Sequence, residues 1–406
     1  MPKRLWNKDF ILLLQGNAVS AIGDLMYGVA IGYWVYEMTG SSALMGIMSA
    51  ISMFVSMFLS PFSGSIVDKC NRKWVIVGMD VMQGILMLVV GALAYMQKLT
   101  VSGVLLAAFL AALGSVFYAP GVSTLMIDII PHDDMVRGQS IFSGISSLIN
   151  LVGTAFSGAM VAFFGVPLIV VINGISNLYS ACSELFVHVP RTVQQGEAVT
   201  VKGILRDSGN AAKTIFSNRF LCLFVPCALI LNLLGAGPLS LVLPFCVEKG
   251  FTVEMYGYLM SVYTAASLVC VVLLSIVKLP PKGRFWVMAL GLSGSVVFAV
   301  LAYLSRQFIP MCILTFLFSF LNCAGNTVFN ASLMLALPEE NRGAILGFIQ
   351  SASIGGTALS AVLYGLLGDI FPLYLVFVVG NLISLPVMLY MCFHPRTKEF
   401  MLTHST

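Results

Sequence analysis

Charge is the scarcest property of this chain. Only 9% of its 406 residues are Asp, Glu, Lys or Arg, against 59% apolar residues and a mean hydropathy of +0.97. A soluble protein of this length needs far more charge to cover its surface, so a soluble globular class is excluded. Histidine is nearly absent: His132, His188, His394 and His404 all fall at the ends of apolar runs or in the tail. The nine cysteines contain no C-x-x-C pair, and most lie inside apolar runs as small hydrophobes. No metal site, redox site or cofactor is therefore expected. There is no G-x-x-x-x-G-K-[ST], no H-E-x-x-H and no Ser/His/Asp set, which argues against nucleotide-driven pumping and against catalysis. A cleaved leader is not expected either, because the run from Phe10 to Tyr36 is too long for a signal core and lacks an A-x-A-like end.

What the chain does have is a succession of apolar runs, each about the 20 residues needed to cross a bilayer as a helix. They are continuous rather than alternating, which favours helices over a β-barrel. Twelve spans are predicted, at 10–36, 43–66, 74–96, 101–127, 138–163, 167–188, 220–246, 255–277, 284–304, 309–336, 343–367 and 371–393. The expectation is an all-α polytopic membrane protein with a six-helix bundle over 1–189, a cytoplasmic linker over 190–218 and a second six-helix bundle over 219–406. The linker stretch from Val201 to Phe216 reads as an amphipathic helix on the membrane surface. With the N-terminus inside, all of the 21 Lys and Arg except Lys98, Lys249 and Arg306 fall on the cytoplasmic side. Both termini are thus expected to be cytoplasmic, and the net charge of +4 reflects topology rather than nucleic-acid binding. The halves echo each other. Pro131 to Gly138 enters the fifth span as Pro338 to Gly343 enters the eleventh, and Gly64 to Lys73 has a worn counterpart in Ser275 to Arg284. Pseudo-symmetric halves of this kind place a substrate site near the midplane between them.

The stretch Gly64-Ser65-Ile66-Val67-Asp68-Lys69-Cys70-Asn71-Arg72-Lys73 is the most specific motif. It resembles the loop between the second and third helices of major facilitator superfamily transporters, G-x-L-A-D-R-x-G-R-K, with Asn71 in place of the usual glycine. Ser20-Ala21-Ile22-Gly23-Asp24 and the exit Trp34-Val35-Tyr36-Glu37-Met38-Thr39-Gly40-Ser41 are similar to the macrolide-efflux and enterobactin-exporter branch. The resemblance implies the superfamily fold, a bacterial cytoplasmic membrane, a monomer, and export of an amphiphilic or drug-like small molecule in contact with membrane lipid. Two departures count against proton-coupled antiport of the usual kind. Ala107 to Gly114 carries no base, and Gly153-Thr154-Ala155-Phe156-Ser157-Gly158 keeps the glycines but loses the proline.

Polar groups at membrane depth are the functional candidates, since each carboxylate there costs about 2.5–3.5 kcal/mol on insertion scales. Asp24 lies about 14 residues into the first span, roughly 21 Å along it, and is the proton-coupling candidate. Asp68, Asp80 and Asp128 read as partners for Lys69, Arg72, Lys73 and Arg137, forming with Gly64 a cytoplasmic latch. Loose juxtamembrane pairing is the plainer alternative. Glu184, near the end of the sixth span, reads as a snorkelling structural acid. No acid lies well inside the second-half spans. Asn232, Asn322, Asn326, Asn330, Gln350 and Asn381 supply neutral polarity instead, with Asn322, Asn326 and Asn330 striped on one face of the tenth span. Asn232, the three striped asparagines and Gln350 are cavity candidates together with Met26, Tyr27 and Tyr33, with interhelical packing as the alternative. Gly235-Ala236-Gly237-Pro238 is expected to break the seventh span. The expected function is secondary export by alternating access, with protons the candidate coupling ion. A lysolipid or siderophore flippase and a non-transporting receptor or scaffold are the alternatives, the last lacking any use for a latch or a midplane acid.

Overall fold

A chain with this much apolar sequence has to satisfy its backbone hydrogen bonds internally, and helices do so within one segment. The computed structural model describes residues 5–131, 134–188, 221–277, 280–336 and 342–403, and every regular element among them is a helix. The expected linker over 190–218, with its amphipathic stretch, lies outside the described residues. The first half contains α1 (Lys8–Thr39), α2 (Ser42–Lys69), α3 (Arg72–Tyr95), α4 (Val101–Ile129) and α5 (Met135–Leu185). The second contains α6 (Leu221–Gly235), α7 (Gly237–Ser240), α8 (Val242–Glu248), α9 (Val253–Ile276), α10 (Pro281–Leu304), α11 (Phe308–Ala336), α12 (Arg342–Gly368), α13 (Leu373–Phe393) and α14 (Pro395–Thr403).

Among the described residues, eleven helical stretches are long and apolar enough to cross a membrane. The twelfth expected span is hidden in α5, a helix of 51 residues that carries two spans. Gly165 divides it, with φ 73° and ψ 160°, a backbone conformation essentially reserved for glycine, and Pro167 follows at once. The first limb runs up to Gly165 and the second runs on to Leu185. Capping fixes several starts: Asn7 accepts from the Phe10 amide at 2.8 Å, Thr100 from Gly103 at 3.2 Å and Thr252 from Met255 at 3.4 Å.

The chain forms two compact units, one of residues 1–40 and 51–200, the other of residues 41–50 and 201–406. The second unit thus includes the first turns of α2. There α2 packs on α12, with Gly46 against Ala361 and Gly365 against Ser42 and Ala43, and Asp369, just past α12, adds hydrogen bonds: its carboxylate accepts from Ser41 Oγ at 2.7 Å and from the Ala43 amide at 3.1 Å. It acts as an N-cap for α2, supplied from more than 300 residues away. In the first unit the core gathers Phe10 and Leu13 of α1, Ile76 and Val77 of α3, and Leu125, Met126 and Ile129 of α4. In the second, Phe224 and Val225 of α6 pack with Met288, Ala289 and Leu292 of α10 and with Val328 and Phe329 of α11. The connection after α8 uses charge to close helix ends. Lys249 Nζ donates to the carbonyls of Tyr303, at 2.6 Å, and Ser305, where α10 stops, and Glu248 Oε2 accepts from the Leu373 amide at 2.9 Å, where α13 starts. Burial holds the Lys249 ammonium below its usual pKa.

Candidate functional site

In the first unit, α1 and the second limb of α5 come into close contact because Gly23 leaves room. A methyl group there would overlap Ser176 Oγ and lie 2.7 Å from Asn173 Oδ1. The α5 limb presents Asn173, Ser176, Asn177, Ser180 and Glu184 on one face, at the 3.6-residue period. All five are buried. Asn177 Nδ2 donates to Asn173 Oδ1 at 2.8 Å and to Asp24 Oδ1 at 3.5 Å. Asp24 in turn opens onto a cavity of about 480 Å³ lined by Asn17, Tyr118, Ser123, Gln139, Ser146 and Asn150 along with apolar groups. Met26, Tyr27 and Tyr33 do not line it. The helical period puts Asn17, Ala21, Asp24 and Leu25 on the cavity face, and Tyr27 sits beside Asp24 with its hydroxyl buried and unbonded.

Of the expected basic cluster, one pairing, Arg72 with Asp128, is present among the described residues. Arg72 Nη1 pairs with Asp128 Oδ2 at 2.7 Å and lies 3.5 Å from the Thr124 carbonyl. Lys73 Nζ donates to the Leu185 carbonyl at 2.6 Å and so caps the C-terminal end of α5. Arg137 is exposed near the start of α5. Gly64, Asp68 and Lys69 lie in the last turns of α2, and the surroundings of these residues are outside the described part of the structure. Asp80 is not a partner of these bases. It stands eight residues beyond Arg72, about 12 Å along α3, and is 2% exposed, with Oδ2 unbonded. Glu184 does not snorkel. It is fully buried, and Oε1 accepts from Tyr118 Oη at 2.9 Å. Sequence reasoning missed Tyr118, Asn173, Asn177 and Ser180. The signal was present in the polar stripe of the sixth span, one face of an otherwise apolar run.

In the second unit the expected break occurs after Gly235 and is stitched by α12. Ser360 Oγ donates to the Leu233 carbonyl at 2.6 Å and accepts from the Gly237 amide at 2.8 Å, and Tyr364 Oη donates to the Leu234 carbonyl. Groups freed by the interrupted helix are thereby satisfied inside the bundle. Gly237 is required, since a methyl group there would lie 2.6 Å from the Tyr364 ring. The break borders a cavity of about 330 Å³. Its wall combines Phe224, Tyr263, Tyr303, Phe318 and Phe329 with Met260, Met311, Met388 and the amides of Asn232, Asn322, Asn326 and Asn381. None of the lining residues is charged. Asn326 Nδ2 donates to Asn322 Oδ1 at 3.1 Å, so the two act as a pair. Asn330 and Gln350 are exposed and do not line the cavity, because the lining face of α11 ends at Phe329. Asn381 of α13, read in the sequence as neutral polarity but not as a cavity candidate, does line it, buried and bonded through Nδ2 to the Phe377 carbonyl at 2.9 Å.

Residues 13–282 and 227–403 match the family model of the Major Facilitator Superfamily. Macrolide efflux protein A of Streptococcus pyogenes is 21% identical over 186 residues. That stretch covers 46% of this chain and 46% of the relative, so the match spans about half of the curated protein's length. In fold, the chain is similar to a crystal structure of a mutant of the nucleoside transporter NupG, with TM-score 0.75 at 14% identity over 94% of this chain and 99% of that one. It is also similar to a bacterial homologue of the human lysosomal transporter Spinster, with TM-score 0.70 at 14% identity over 97% of each chain. At such identities the likeness to these two structures concerns the fold alone.

Proposed function

Because the chain belongs to the major facilitator superfamily, we propose that it exports amphiphilic, drug-like small molecules across a bacterial cytoplasmic membrane by alternating access, coupled to protons. The observation that carries this reading is the second-unit cavity. Aromatic faces and flexible methionines receive the apolar body of a ligand, and four asparagines meet its polar groups without fixing one charge or shape. Such a wall suits a family of related amphiphiles better than a single rigid metabolite. The partial likeness to a macrolide efflux protein supports the same direction.

In this reading Asp24 is the proton carrier. It lines the first-unit cavity, and its carboxylate is held by Asn177 rather than by a base. Both termini are cytoplasmic, and the Gly64 to Lys73 stretch, whose Arg72 pairs with Asp128, latches the cytoplasmic side in one state of the cycle. Efflux from a drug-hypersensitive bacterial host tests the proposal, with a panel of fluorescent amphiphiles of differing size and charge. Cells expressing the protein should accumulate less of several panel members. Equal accumulation of every member by expressing and control cells would contradict drug export, and retention of lysolipid analogues alone would favour a flippase.

A further inference from the structure

Behind the first-unit cavity lies a second acidic site. Asp80 on α3 and Glu184 on α5 are within electrostatic reach of each other, and Ser180 stands beside both. Asp80 is 2% exposed, and Glu184 and Ser180 are fully buried. Among the described residues, Asp80 Oδ2 and Glu184 Oε2 have no hydrogen-bond partner of ordinary geometry, and the Ser180 hydroxyl is the one small donor beside them. The groups facing the pair are Asp24 from α1 and Tyr118 from α4, with Tyr27 beyond Asp24. Among the described residues no cation takes part in the electrostatics of either carboxyl. The bases at the start of α3 are engaged elsewhere, Arg72 with Asp128 and Lys73 with the Leu185 carbonyl.

Two carboxylates within electrostatic reach, buried and without a counter-cation, hold one proton between them at rest and lose it only in passing. A purely structural acid pair would have its remaining oxygens closed by donors, as buried polar groups in folded proteins are. Here one oxygen of each carboxyl is left open, and one link leads out. Tyr118 lines the cavity, and its hydroxyl donates to Glu184 Oε1. Among the described residues no group of three or more His, Cys, Asp or Glu is placed to hold a metal ion.

We propose that Asp80 and Glu184 together bind one exchangeable proton, reached from the first-unit cavity through the Tyr118 hydroxyl. The assignment rests on the transporter reading above and deepens it by adding a second protonation site to Asp24. In release, the Tyr118 hydroxyl turns its proton from Glu184 Oε1 towards cavity water, the carboxyl O–H bond of the pair breaks, and a new O–H bond forms on Tyr118 Oη. That oxygen passes its original proton to cavity water. The pair goes from one negative charge to two, and the water becomes hydronium. In uptake the same bonds are exchanged in reverse.

Infrared difference spectroscopy of the purified full-length protein in detergent micelles tests this without any substrate. Wild type should show a protonated-carboxyl band at neutral pH that shifts in heavy water. Glu184→Gln and Asp80→Asn should each abolish that component, and Asp24→Asn should leave it. Tyr118→Phe should keep the band and slow its exchange with deuterium. An unchanged band in both Glu184→Gln and Asp80→Asn, each eluting from size exclusion as wild type does, overturns the site. Exchange at the wild-type rate in Tyr118→Phe overturns the route. The exporter reading fails separately: wild type carrying the band yet showing no pH-gradient dependence of transport would contradict proton coupling and leave the protonation site standing.

Discussion

Two glycines on α1 give a controlled test of how the first unit is assembled. At Gly23 an added methyl would overlap Ser176 Oγ and lie 2.7 Å from Asn173 Oδ1 and 3.2 Å from Ser176 Cβ. At Gly28 it would meet nothing within 4 Å. Turning Ser176 away from the new methyl removes its bond to the Asn173 carbonyl, 2.8 Å long, at a cost of about 1 kcal/mol. It leaves the Asn173 and Ser176 Cβ contacts in place, and overpacking of this kind costs about 1–3 kcal/mol. Against that, alanine is better than glycine in a helix by about 0.8–1.0 kcal/mol. Gly23→Ala should therefore be net destabilising by roughly 1–3 kcal/mol, and Gly28→Ala neutral or stabilising. A gap of about 2 kcal/mol between the two is a factor of about 30 in the unfolding constant. Equilibrium unfolding in mixed micelles, titrated with a denaturing detergent, measures it. Equal midpoints for Gly23→Ala and Gly28→Ala would refute the close packing of α1 on α5 at Asn173 and Ser176.

Ser360→Ala should destabilise the second unit by about 1–3 kcal/mol, because the Gly237 amide and the Leu233 carbonyl lose their shared partner, and the same detergent titration reads the loss. Asp369→Ala should remove the cap of α2, worth about 0.5–2 kcal/mol, and speed amide hydrogen exchange at Ala43 and Leu44 while leaving the start of α4 unchanged. Asn326→Leu should shift preference within the amphiphile panel towards less polar members without loss of folded protein, since Asn326 lines the cavity and its amide bonds stay within α11.

The helical architecture was legible because span length and charge placement are set by the bilayer itself. Gly235 to Pro238 announced the interruption of the seventh span by residue type alone. The groups that satisfy it, Ser360 and Tyr364, lie more than 120 residues away, and nothing local marks them. The charge pattern around Arg72 was read by proximity in sequence, which joined it to Asp80. Helical rise instead carries Asp80 a further two turns into the bundle. Its position on the buried face of α3, with Ile76, Gln83 and Met87, is a matter of period rather than proximity. Glu184 was misjudged because a residue near the end of a span has two outlets, water or the bundle interior. Only the partner on α4, Tyr118, decides between them. The asparagine stripe of α11 was visible as a stripe, but where the cavity ends along it depends on neighbouring helices, so Asn330 was included and Asn381 was not.

The central claim is that an imposed proton gradient drives amphiphile export through this chain. The direct measurement is uptake of a fluorescent amphiphile into proteoliposomes holding the purified full-length protein, with and without a pH gradient, for wild type and Asp24→Asn. Gradient-dependent accumulation by wild type that Asp24→Asn loses, with ligand binding retained, is the predicted result. Accumulation by wild type that is the same with and without the gradient would contradict it.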